Sequence, residues 1–393
     1  MARDYDVAVV GAGIAGVSAA LELARRGVSV TLLDRGDVAG ATTGLGEGNV
    51  LCARAEPGPK LDLTRLGLEM YDELEAEYGT SARIRRKGAL VVHRDEPALR
   101  RGHEHVERMR AAGVACRVVE RPELRELEPR LGRHLAGAEL FPGDLQCDAR
   151  GLTRAMAGAL RRHGACVNTG TEVHAVRTER GRAVGLDTAD GPLRCGAVVL
   201  AAGPWSAPLA QSAGLRLPVE PRKGQLTLSR RGARGFVRHK LIEGAYAAAV
   251  TSDDATLQLA AVIETTWDGR VMLGSSRERR GFDTVVDSAV TAAMVRRAAG
   301  LVPELVGLPL ERSWAGLRPF LPDHHPAVGP SSLVEGLWVS TGHEGAGVAL
   351  GPVSGRLLAE AFCGEAPKID MTPFAVDRFQ HGHLSPRATT VAR

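Results

Sequence analysis

Five residues near the start, Asp6-Val7-Ala8-Val9-Val10, form a short and almost wholly apolar run, and small residues with glycines come directly after it. Residues 17–26 then place small and apolar side chains at helical spacing, and a second apolar run, 28–33, ends in Asp34. The pattern predicts strand, tight turn, helix, strand. Runs at 195–202 and 337–341 have the same buried-strand character. The first is stopped by Gly203-Pro204-Trp205-Ser206; the second runs into a glycine-rich stretch, 342–347, and then a helical pattern over about 352–362. Between them, 89–93, 256–263 and 270–273 read as strands, while 61–78, 97–112 and 284–300 carry helical periodicity. Residues 381–393 are polar and turn-rich and predict a flexible tail.

Composition narrows the class. A chain of 393 residues with 44% apolar content can bury the cores of two or three folded units. The 50 basic and 46 acidic residues leave a formal +4, but they are interspersed, so nothing asks for nucleic acid. The six cysteines form no CxxC pair and no zinc-spaced cluster, which predicts reduced thiols, no metal site and a cytoplasmic chain. The apolar stretch 7–23 is broken by glycines and carries Glu22, so neither a signal peptide nor a membrane span is expected. Glycine is the outlier, with 47 residues, or roughly 12% where about 7% is usual. That surplus predicts many tight turns and places where backbone closely approaches something else.

The glycines become chemically specific near the N-terminus. Gly11-Ala12-Gly13-Ile14-Ala15-Gly16 stands between a strand and a helix, and Asp34 lies at the end of the next strand, 23 residues after Gly11. In that context GxGxxG binds a dinucleotide: Gly11 allows the turn, Gly13 lets backbone N–H groups reach a pyrophosphate, Gly16 allows close helix packing, and Asp34 accepts from ribose hydroxyls. The residues after Asp34 favour FAD over NAD. Arg35-Gly36 leads into a second small-residue loop containing Ala41, Thr42, Thr43, Gly46, Gly48 and Asn49, which can lie along the pyrophosphate and ribityl chain of an extended cofactor. The late strand, glycine loop and helix would aim a helix N-terminus at an isoalloxazine ring and stabilise its reduced, anionic form. A second GxGxxG at a strand end is missing, which counts against a monooxygenase or pyridine-nucleotide reductase.

These pieces, in this order, resemble the D-amino acid oxidase superfamily, in particular its glycine oxidase and sarcosine oxidase-like branch of FAD-dependent amine oxidoreductases. The resembling segments are 11–16 with Asp34, 41–48, 141–148 with the helix after it, 198–206, Gly316-Leu317-Arg318-Pro319 with Pro322-Asp323, and 342–347. The resemblance implies an α/β fold with an α+β second domain: a Rossmann-like FAD-binding domain interleaved with an antiparallel-sheet substrate domain. The boundaries it implies are 1–50, 148–222 and 316–380 for FAD binding and 51–147 and 223–315 for substrate. To the cofactor contacts it adds Val173, Ala202, Gly203, Trp205, Gly316, Gly342, Gly345, Ala346, Gly347 and Val348.

The same resemblance assigns Arg318 to the substrate carboxylate, a role that suits a planar, permanently charged guanidinium fork. It makes Tyr246 a hydroxyl that closes over the substrate and His343 a group at the flavin edge, with Glu243 and His239 as further candidates near Tyr246 and His324 and His325 as loop residues near the cofactor. Two departures stand out. Sarcosine oxidase-like members attach FAD through a cysteine near the position of Gly316 or Leu317; no cysteine lies between Cys195 and Cys363, so FAD is expected to be non-covalent. The same enzymes keep an oxygen-activating lysine over the flavin, where Met272 is expected here.

The implied reaction is hydride transfer from the Cα–H of a neutral amino or imino acid, held by Arg318, to flavin N5, giving an imine, with electrons passing to O2 or a carrier. Three alternatives remain: the catalytic subunit of a heteromeric amine, opine or hydroxyproline dehydrogenase, a tailoring oxidase acting on an amino-acid-containing metabolite, and a flavin-stabilised binding protein without turnover. Homo-oligomers are compatible with all of them.

Overall fold

The structure, a computed structural model, describes residues 5–53, 55–232, 235–246 and 256–380; the expected tail at 381–393 lies outside the described residues. The chain opens with strand β1 (Tyr5–Val10), helix α1 (Ile14–Arg25) and strand β2 (Val30–Asp34), and it returns to the same sheet with β3 (Gly191–Leu200). It then builds a second sheet from β4 (Glu220–Ser229), β5 (Lys240–Glu243), β6 (Val271–Arg277) and β7 (Leu310–Phe320), among others. Strand β8 (Leu337–Thr341) and helix α2 (Gly347–Phe362) bring it back to the first sheet.

In the first sheet β8, β3, β1, β2 and Cys166–Thr169 run parallel in that order. Ala327–Pro330 closes one edge antiparallel, and a hairpin, Val173–Glu179 with Arg182–Thr188, extends from the N-terminal half of β3. Residues Val7, Val9, Leu32 and Val199 are fully buried, which explains why these strands read as unbroken apolar runs: helices or loops cover both faces. The carboxyl ends of β1, β2, β3 and β8 all point to one side, where ligands bind in open parallel sheets.

The second sheet orders as β7, β4, β6, Gln258–Thr265, β5, Ala89–His93, Gly137–Phe141 and Arg117–Glu120. It is antiparallel except for one parallel pairing, β5 with Ala89–His93. Arg222 of β4 stands opposite Arg318 of β7, and Gly224 opposite Gly316. The borders expected at 222/223 and 315/316 therefore fall inside strands of this sheet, and the Gly-Leu-Arg-Pro segment reaches the cofactor side while belonging to the second sheet.

Most predicted elements occur with shifted ends. The helical patterns at 61–78, 97–112 and 284–300 become Pro59–Ala82, Glu96–Ala111 and Ser288–Ala299, the last two started by caps from Asp95 and Asp287. The late helix begins at Gly347 rather than near Pro352. Proline in a helix frees the carbonyl four residues earlier, and here the Tyr71 hydroxyl donates to the Val348 carbonyl at 2.7 Å, so the helix continues through the proline. Among the described residues no helix is long and apolar enough to cross a membrane.

Candidate active site

Three connected groups of residues line cavities at the carboxyl ends of the parallel strands. The outer cleft, about 640 Å³, is walled by Gly11, Gly13, Ile14, Ala15, Asp34, Arg35, Ala41, Thr42 and Thr43, together with Val173, Ala202, Gly203, Trp205, His343 and Gly347. Its volume lies within the usual range for cofactor sites. The glycines make this space. Gly11 has φ +111°, and a Cβ there would run into the Ala201 carbonyl; a Cβ on Gly16 would overlap the Gly11 carbonyl, so Gly16 serves helix packing rather than the cleft wall. The N-terminus of α1 opens toward the cleft, and Thr43 Oγ1 accepts from the Ile14 N–H at 3.1 Å. These are the features a pyrophosphate requires.

Asp34 braces the turn, accepting from Ala12 N at 2.6 Å and Gly36 N at 2.8 Å, and it lines the cleft. The Arg35 guanidinium sits 4.4 Å above the Trp205 ring. His343 is buried and hydrogen-bonded to Ser354 Oγ at 3.0 Å. Burial, assisted by the Lys60 charge, lowers its pKa to about 4, so it is a neutral imidazole at pH 7. Gly342, at φ +80°, lines none of the three cavities; it makes the turn beside Leu321.

A middle cavity of about 100 Å³ lies between the small-residue loop and the second sheet, and Gly46, Gly48, Asn49, Tyr246, Gly316, Arg318, Gly345 and Val348 line it. Two bonds fix that loop to β7: Thr42 Oγ1 donates to the Leu317 carbonyl at 2.7 Å, and Trp314 Nε1 to the Leu45 carbonyl at 2.9 Å. An inner cavity of about 60 Å³ continues from it, where Arg318, Tyr246, Gly345 and Ala346 meet Lys60, Arg277 and Glu344. Arg318 is half-buried; its desolvation and the neighbouring Arg277 charge lower its pKa to about 10, which leaves it protonated at neutral pH. Its Nη1 donates to the Ser276 carbonyl at 3.0 Å, and to reach it the side chain crosses β4 over Gly224. Glu344 has φ +48° and accepts from Arg222 at 3.2 Å and from His324 at 3.3 Å. Burial would raise its pKa, but the His324 hydrogen bond and the Lys60 charge hold it below the ordinary value.

Other candidates lie elsewhere. Glu243 is clamped by Arg94 at 3.0 Å and Arg297 at 2.6 Å, and His239 is bonded to Glu128 at 2.9 Å; both hold structure together away from these cavities. Met272 sits within β6 opposite Leu228 and Glu264 and lines none of the cavities. A buried lysine does stand close by: Lys240 Nζ is 2.6 Å from Glu47, which lines the middle cavity. Glu47, Lys60, Gly224 and Arg277 were not foreseen. A glycine isolated in a strand, as in Arg222-Lys223-Gly224-Gln225, signals close approach of another group and could have drawn attention to Gly224.

The profile of the FAD dependent oxidoreductase (DAO) family matches residues 6–361. The chain is 30% identical to glycine oxidase from Geobacillus kaustophilus, over 96% of this chain and 98% of that protein. It is also 30% identical to hydrogen cyanide synthase subunit HcnC from Pseudomonas aeruginosa, with both chains covered completely. The crystal structure of the Geobacillus kaustophilus glycine oxidase superposes with a TM-score of 0.85 at 28% identity, covering 95% of this chain and 99% of that one.

Proposed function

The chain belongs to the DAO family of FAD-dependent oxidoreductases, which act on amine C–N bonds, and from that premise we propose that it oxidises an amino or imino acid to an imine. The carrying observation is Arg318, a half-buried arginine that lines both inner cavities, makes one hydrogen bond to backbone and has no ion pair among the described residues. An uncompensated charge in that position favours an anion, and a substrate carboxylate supplies it in the geometry a guanidinium prefers.

In this reading residues 11–16, Asp34 and the loop 41–49 hold FAD, and residues 343–348 approach its ring. No cysteine lines the three cavities among the described residues, which supports non-covalent binding. Held by these residues, a flavin would supply two-electron redox chemistry to the site. The chain's own part is to orient and to exclude water: Arg318 fixes the carboxylate, Tyr246 closes the cavity against Arg277, and neutral His343 adds no charge beside the cofactor. The segments 1–50, 148–222 and 316–380 serve FAD in this proposal, and 51–147 and 223–315 serve substrate, except that Arg318 and residues 344–346 reach the inner cavity from the first group. Six unpaired thiols fit a reducing, cytoplasmic setting.

Anaerobic titration tests the proposal. The flavin-loaded protein should lose its visible flavin band when a panel of D-, L-, N-methyl and cyclic amino acids includes its substrate, and Arg318→Gln should raise the half-saturating concentration at least about tenfold. A loaded protein that no amino acid bleaches sinks the reading. Readmitting air separates an oxidase from a dehydrogenase that needs a carrier. The full-length match to a protein named as a synthase subunit favours keeping the dehydrogenase version, with a partner polypeptide, as the second reading.

A further inference from the structure

The inner cavity holds more positive charge than a single carboxylate can use. Arg277, the last residue of β6, is 3% exposed, and its guanidinium lies 4.4 Å from the centre of the Tyr246 ring. Its Nη1 is buried without a hydrogen-bond partner, and no ion pair reaches the side chain among the described residues. Arg318 lines the same cavity and is anchored to the carbonyl of Ser276, the residue before Arg277. The one carboxylate among the described lining residues, Glu344, is already occupied by Arg222 at 3.2 Å, His324 at 3.3 Å and Lys60 at 4.0 Å.

Two guanidinium groups, that of Arg277 buried and that of Arg318 half-buried, therefore line one small cavity with no carboxylate between them. Arg222 shows the contrast: a buried arginine with a structural role in this same region has its acidic partner, Glu344, in place. Burying a charge without a partner is costly, and two like charges in one cavity repel, so the arrangement is relieved when anions enter. One carboxylate on Arg318 leaves Arg277 unanswered. The Tyr246 ring covers the Arg277 guanidinium, and guanidinium N–H groups lie in the plane, where a carboxylate oxygen is accepted, so the partnerless Nη1 is still available to one.

We propose that Arg277 is a second anion-binding residue of the substrate cavity, and that the substrate is an amino or imino acid bearing a second carboxylate, held between Arg318 and Arg277. The inference rests on reading Arg318 as the carboxylate clamp, and it adds the substrate class. It also gives Tyr246 a further task, as the surface that keeps the Arg277 guanidinium facing the cavity.

Redox-inert anions test this without turnover. Flavin-loaded protein is titrated with malonate and succinate, and in parallel with acetate and propionate, followed by calorimetry and by perturbation of the flavin band. The better dicarboxylate should bind at least about tenfold more tightly than either monocarboxylate. That ratio should fall to within about twofold in Arg277→Gln and partly recover in Arg277→Lys, with thermal unfolding showing that each variant is folded. Equal binding of both classes by the wild-type protein overturns the proposal even where a variant fails to fold. An Arg277→Gln variant that weakens both classes by one common factor overturns it too, since both arginines would then grip a single carboxylate. Anaerobic reduction by alanine and glutamate of either hand separates this inference from the oxidation reading. Malonate bound through Arg277 in a protein no amino acid reduces defeats only the latter; reduction with no preference for the dicarboxylate defeats only the former.

Discussion

An added methyl group at Gly224 would stand 2.6 Å from Arg318 Cζ and closer still to Nη1, inside the space the guanidinium needs to cross β4. The atoms it meets are the far end of a flexible side chain, so the strand can keep its pairing with β7 while Arg318 swings away. Gly224→Ala is therefore expected to change unfolding free energy by less than about 1 kcal/mol, the usual scale for a change that disturbs neither core nor caps. The loss falls on binding: losing one or two charge-assisted hydrogen bonds to the substrate carboxylate should raise KM roughly 10- to 100-fold. Steady-state kinetics beside a thermal melt decides it, and a variant that loses stability and substrate affinity in proportion would place Gly224 in the fold rather than the site. At this scale the sequence was legible where a residue type has one chemical use. Arg318 stood out because its motif did, and Asp34 because it ended a strand after GxGxxG. Arg277 and Lys60 did not, since an arginine in Ser275-Ser276-Arg277-Glu278 looks like an ordinary charge at a strand end until the tertiary structure shows that its neighbours leave it unpaired.

Helices α1 and α2 cross at two glycines. A Cβ on Gly355 would lie 2.7 Å from the Ser18 carbonyl carbon and from Ser18 Cβ, and one on Gly351 would lie 3.0 Å from Ile14 Cγ2. Unlike the Gly224 case, the obstruction at Gly355 includes backbone, so the helices must move apart. Gly355→Ala should cost about 1–3 kcal/mol, the range for overpacking a close contact. Because α1 begins at the cleft, its displacement should also weaken FAD binding. Denaturant unfolding of the apoprotein with a flavin-binding titration checks both effects; lost stability with unaltered FAD affinity would show that the start of α1 is held independently, for example by Thr43. Long periodic elements such as these were readable because a 3.6-residue repeat over many turns leaves little ambiguity. The short strands Arg117–Glu120, at the sheet edge, and Gly137–Phe141, next to it, were not, since four or five residues carry too little pattern and owe their state to the neighbours they pair with. The start of α2 was misplaced for a related reason: the compensation for Pro352 comes from Tyr71, nearly three hundred residues away in sequence.

The whole molecule depends on how the two sheets are joined, and the join includes a buried charge network. Lys87 is 2.9 Å from Glu264, Glu264 is 3.7 Å from Lys240, and Lys240 is 2.6 Å from Glu47 in the loop beside the middle cavity. The interleaving of segments was visible in the sequence through the resemblance, but this network was not, because its four charges are scattered along the chain and only the fold makes them neighbours. Two cations and two anions balance, and all four side chains are largely shielded from water. Lys240→Met removes one cation without opening a large space, leaving the Glu47 carboxylate without this ion pair, though still accepting from Asn49 Nδ2 at 2.7 Å, and Glu264 with Lys87. An uncompensated buried charge typically costs about 3–5 kcal/mol, so the variant should unfold several degrees lower and bind FAD more weakly as the Glu47 loop relaxes. Lys240→Met combined with Glu47→Gln removes the unbalanced negative charge as well and should recover part of both losses, a coupling of more than about 1 kcal/mol between the two positions. If instead the two substitutions simply add, Glu47 is solvated in the folded protein, and the loop is held to the second sheet by Thr42 and Trp314 alone.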